Sequence, residues 1–123
     1  MKNLILIFLG GGIGSITRFL LSSFSQKIFK FGAFPVGTLS VNFLGCLIIG
    51  FLLPALVKSD SYLKFLLITG FCGGFTTFSA FSLENFGLWQ DQQYGLFALN
   101  IVASVVLGLV AVFCGVKLYE IIK

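Results

Sequence analysis

Histidine is absent, and only four of the 123 residues are acidic. With no imidazole and no nucleophile set beside a base, the chain lacks the pairs that activate a serine or cysteine, which argues against an enzyme. The three cysteines, Cys46, Cys72 and Cys114, fall singly in separate apolar segments. No CxxC or Cys/His spacing links them, so they read as small buried hydrophobes rather than a metal cluster or disulfide framework. Charge is scarce as well. Charged residues make up 10% of the chain, where a soluble domain carries about one quarter, too few for an aqueous surface. The net charge of +4 comes from basic residues placed singly at segment ends, not along one face, which argues against nucleic acid. There are only two prolines, no linker, no low-complexity tract and no clear internal repeat, so the chain reads as one compact module.

What is present is hydrocarbon. Hydrophobic residues make up 58% of the sequence, 16 of them phenylalanine. Residues 31–57, 65–83 and 92–116 contain no charge, and residues 3–25 contain only Arg18. A helix needs roughly 20 residues to cross a bilayer core. The chain is therefore an all-α integral membrane protein with four spans, expected at about 3–25, 35–57, 62–89 and 94–118. A cleaved signal peptide is the rival reading of the N-terminus, but the apolar run continues past Arg18 with no clear small-residue cleavage site. Pro35 suits the first turn of the second helix, and Pro54 should bend or end it. Four crossings bring both termini and the 58–64 connection to one side, with Lys2, Lys58, Lys64, Lys117 and Lys123. Lys27 and Lys30 lie opposite, so the five-lysine side is expected in the cytoplasm.

The third segment holds "GFCGGFTTFSAF", residues 70–81. Gly73 and Gly74 weaken a helix, and Thr76–Thr77 do little to restore it. Irregular backbone survives in a membrane only inside protein or against a cavity. A break at 73–77 would free carbonyls that can hold a cation and N–H groups that favour an anion. The competing reading is an unbroken helix whose glycines permit close approach. Beyond this stretch, Phe78, Phe81, Ser82 and Asn85 share one face, and ring edges presented to a path favour a small anion. Such a stripe also suits lipid or core. Thr38 and Asn42, four apart on the second helix, supply a hydroxyl and an amide. Gly10, Gly14 and Arg18 share a face of the first helix, where glycine lets another helix come close. Arg18 itself is costly within a span. It can reach the surface, pair with Glu84, or draw anions to one mouth of a path. The recurring polar residues within the spans imply a dimer at least.

Three stretches, "GGGIGSITR" (10–18), "GTLSVNFLG" (37–45) and "GFCGGFTTFSAFSLE" (70–84), resemble the signatures of the Fluc, or CrcB-type, fluoride channels, over essentially the whole chain. The resemblance implies passive export of fluoride across the plasma membrane by an antiparallel, dual-topology dimer with two pores at the subunit interface. It implies that Phe78 and Phe81 face the fluoride path, that Asn42 donates to the ion with Thr38 one turn earlier, and that Ser79 and Glu84 are polar positions nearby. Arg18 corresponds to an arginine near the vestibule. The carbonyls of Gly73 and Thr76, from both subunits, would hold a structural sodium ion. The fourth helix departs from the family's Tyr, Ser and Ser spaced by four: here stand Asn100, Ser104 and Gly108, of which Ser104 carries over. The lysine bias leaves open a heterodimer with a paralogous chain. A small multidrug-type cation exporter is the rival class, but Arg18 stands where those proteins need an acidic residue.

Overall fold

The computed structural model describes all 123 residues, Met1–Lys123. The chain is helical, with α1 at Lys2–Ile28, α2 at Val36–Leu56, a π-helical segment (π1) at Lys64–Cys72, α3 at Gly73–Phe75, α4 at Phe78–Gln90 and α5 at Tyr94–Ile122. Four stretches are long and apolar enough to cross a membrane: Lys2–Ile28, Val36–Leu56, Lys64–Gln90 and Tyr94–Ile122. The third joins π1, α3 and α4. Pro35 stands at the N-cap of α2, and Pro54 lies inside that helix two residues before its end. The turn into α2 is tied by one amide. Gln26 accepts from the N–H of Gly37 at 2.9 Å and donates to the carbonyl of Phe34 at 3.2 Å.

α1 packs along π1 and α3, and α2 packs along α5. Both pairings depend on missing side chains. A Cβ at Gly10 would strike the backbone of Leu66, Gly70 and Phe71, and one at Gly14 would strike that of Phe71 and Phe75. Lipid tails are as apolar as leucine, so helices in a membrane associate through such close backbone contact rather than through hydrophobic burial. The outer face is correspondingly apolar, with Phe8, Phe19 and Phe113 among its exposed side chains. Five polar residues, Ser25, Thr38, Thr77, Asn85 and Asn100, are buried within the subunit.

α4 packs lightly against the rest of the subunit. Its backbone neighbours are α5 and α2 alone, and only Asn85 and Leu88 are buried along it.

Candidate functional site

The site is organised by two residues that leave helical geometry. Thr76 lies at φ −86°, ψ 156° and Thr77 at φ −149°, ψ 121°, both extended. β-Branched side chains are at ease in that conformation, and Thr77 serves as N-cap of α4, accepting from the Ala80 N–H at 3.1 Å. The rest of the interruption is held from across the subunit. Asn42 on α2 accepts the Thr77 N–H on Oδ1 at 2.8 Å and donates from Nδ2 to the Thr77 carbonyl at 3.0 Å.

These bonds redirect donors. In a continuous helix the N–H of Thr77 would close on the carbonyl of Gly73, and that of Ala80 on the carbonyl of Thr76. Here the first goes to Asn42 and the second to the Thr77 hydroxyl. The carbonyls of Gly73 and Thr76 are released as acceptors within an apolar span. Gly73 is exposed, and the Thr76 hydroxyl turns back to the carbonyl of Cys72 at 2.9 Å.

Two cavities flank the interruption. A groove of about 540 Å³ is lined by Asn42, Gly73, Thr76, Phe78, Phe81 and Ser104, among others. The rings of Phe78 and Phe81 stand 5.6 Å apart at 36° to one another. A smaller chamber of about 250 Å³ is lined by Arg18, Ser22, Thr38, Thr77 and Glu84, among others. In it the Thr38 hydroxyl donates to Glu84 Oε1 at 2.5 Å, while Glu84 Oε2 is buried without a partner. Arg18 and Glu84 share this chamber but form no ion pair; the one ion pair joins Lys117 and Glu120 on the surface.

Thr77 lines both cavities. Its N–H and carbonyl are taken by Asn42, and its hydroxyl by Ala80 and by Ser79, whose Oγ lies 3.2 Å away. Ser79 is exposed at the start of α4. On α5, Ser104 donates to Asn100 Oδ1 at 3.3 Å, and Asn100 donates in turn to Asn85 on α4 at 2.9 Å.

The candidate residues thus divide between the two cavities. Asn42, Phe78, Phe81, Ser104, Gly73 and Thr76 stand on the groove, Arg18, Thr38 and Glu84 on the chamber. Sequence reasoning overlooked the role of Thr77. A threonine directly before an apolar helix is a capping signal, and it was available in the sequence.

A family model described as "CrcB-like protein, Camphor Resistance (CrcB)" matches residues 5–116. The chain belongs to the CrcB-like family. Relatives named "Fluoride-specific ion channel FluC" extend the match. The protein from Azobacteroides pseudotrichonymphae is 45% identical over 123 residues, covering 98% of each chain. The one from Phocaeicola vulgatus is 44% identical over 124 residues, covering 98% of this chain and all of its own. The one from Flavobacterium psychrophilum is 47% identical over 118 residues, covering 94% of each. As a CrcB-like protein with four apolar helices, this chain is a multi-pass membrane protein.

Proposed function

We propose that the chain is a passive, fluoride-selective channel of the plasma membrane, working as an antiparallel pair of copies with a conduction path along each groove. The observation that carries this reading is the interrupted third span. Inside an apolar crossing it places two released carbonyls and two phenyl rings beside the polar side chains of Asn42 and Ser104. The names of the relatives point to the same ion.

Stripping water from a small anion is costly unless protein donors replace it. Asn42 keeps one Nδ2 hydrogen beyond its bond to Thr77, Ser104 offers a hydroxyl, and ring edges supply positive partial charge. No Asp or Glu lines the groove. Arg18 brings positive charge to the neighbouring chamber, where Thr38 engages Glu84. One subunit leaves the groove open to its surroundings, with Phe78 78% exposed. An inverted second copy laid over it would enclose the rings.

The residues fit a sodium ion. Hard cations take oxygen ligands, and the carbonyls of Gly73 and Thr76 no longer serve their helix. Each copy contributes the same two oxygens, so a pair doubles the set. Bound there, the ion would supply fixed positive charge between the copies.

Two measurements test this reading. Proteoliposomes holding the purified chain should release fluoride, followed with a fluoride electrode, and largely retain chloride. Well-folded dimers that pass no fluoride would overturn the channel assignment. Exchanging sodium for a bulky organic cation, such as N-methylglucamine, should lower the thermal unfolding midpoint of the dimer. A midpoint indifferent to sodium would remove the ion from the proposal.

A further inference from the structure

We propose that Asn100 is a positioning residue of the conduction path, fixing α4 and Ser104 through one buried amide bonded to Asn85. The inference rests on the channel reading above.

α4 carries Phe78 and Phe81, yet it has little apolar anchorage, with Leu88 its only buried hydrophobic residue. Lipid removes the hydrophobic drive between helices and leaves close packing and hydrogen bonds; α4 packs lightly, so its directional bonds weigh heavily in where it sits. Three tie it down. Asn42 grips Thr77 at its N-terminal end, Thr38 donates to Glu84 further along, and Asn100 donates to Asn85. The first two both run to α2. Two attachments to one neighbour define a hinge line, and toward α5 the helix is otherwise held only at its C-terminal end, where Trp89 packs on Tyr94 and Phe97. The bond to Asn100 is the one side-chain hydrogen bond from α4 to α5, and it fixes the rotation of α4 closer to the rings than Trp89 does.

Asn85 lies four residues beyond Phe81 and seven beyond Phe78, on the same helical face. Rotation of α4 at Asn85 therefore carries both rings with it. Asn100 is 1% exposed and Asn85 6%, so water does not substitute for the bond. The same Asn100 amide accepts from Ser104, which lines the groove alongside Phe81. One side chain thus sets both walls, the rings of α4 and the hydroxyl of α5. At 3.3 Å the Ser104 bond is long, so an anion in the groove can compete for that proton. Asn100 then orients the hydroxyl without locking it.

The experiment is a double-mutant cycle on fluoride efflux from proteoliposomes, with thermal unfolding in detergent beside it. Asn100→Leu should slow efflux about tenfold, the scale of one buried hydrogen bond lost. Ser104→Ala should slow the native channel but add little in the Asn100→Leu background, because coupled residues are not additive. In the pair Asn85→Leu/Asn100→Leu both polar groups are replaced, so the unfolding midpoint should recover while efflux stays slow. That pair also serves if Asn100→Leu alone fails to fold. Recovery of efflux together with the midpoint would reduce Asn100 to a structural prop and overturn the proposal, as would additive effects of Asn100→Leu and Ser104→Ala. Absence of fluoride efflux from the native chain would instead overturn the channel reading itself.

Discussion

Asn42→Leu should cut fluoride efflux from proteoliposomes about a hundredfold, with the protein still eluting as a folded assembly on gel filtration. Two bonds disappear together, the 2.8 Å contact from the Thr77 N–H and the 3.0 Å contact to its carbonyl. A buried backbone group left without a partner costs about 1–3 kcal/mol, so Thr77 will seek replacements. The helical partner for its N–H is the Gly73 carbonyl, and taking it would turn Thr76 helical and close the interruption. That one movement shifts α4 with its rings and withdraws an oxygen from the proposed sodium site. The variant should therefore also lose the dependence of its unfolding midpoint on sodium. Asn42→Asp separates the contributions: it retains the acceptor for the Thr77 N–H, cannot donate to the carbonyl when ionised, and adds negative charge to the groove. Efflux at the native rate from Asn42→Leu would mean that the clamp does not govern conduction.

The second large effect is on packing within the subunit. Gly14→Leu should leave little folded protein after extraction, and Gly14→Ala should lower the unfolding midpoint markedly. A Cβ at Gly14 meets the carbonyl of Phe71 and comes 2.9 Å from the N of Phe75, and neither is a side chain that can rotate away. α1 must move off π1 and α3, and overpacking of this kind costs about 1–3 kcal/mol for a single methyl group. The control stands two residues away. A Cβ at Gly12 meets nothing within 4 Å in the subunit, so Gly12→Ala should leave the α1 contact intact and gain up to about 1 kcal/mol of helix propensity. Equal midpoints for the two alanine variants would show that the α1 contact does not require a bare backbone.

Much of this architecture is legible in the sequence because the bilayer imposes few choices. Uncharged intervals mark the spans, and the Gly73–Gly74 and Thr76–Thr77 pairs mark where helical geometry is weakest. Three features escape such reading. The nine-residue π-helical winding of Lys64–Cys72 is a change of hydrogen-bond register, and no side-chain pattern announces it. The grip of Asn42 on Thr77 spans 35 residues of chain, so the sequence shows a polar residue in a span but not what it holds. The Asn85–Asn100 pair is hidden for a different reason. Asn85 shares a helical face with Phe78 and Phe81, which suggests a role toward the groove, whereas its amide is bonded inward to α5.

The position of Thr77 has a consequence for how an ion would travel. It lines both the groove and the chamber, and its N–H is already given to Asn42, so its backbone has no donor left for a passing anion. On the channel reading, this would make Thr77 a divide between the two cavities rather than a binding position. An ion moving between the two would find its partners among the side chains that line them, Asn42 and Ser104 in the groove and Arg18 in the chamber.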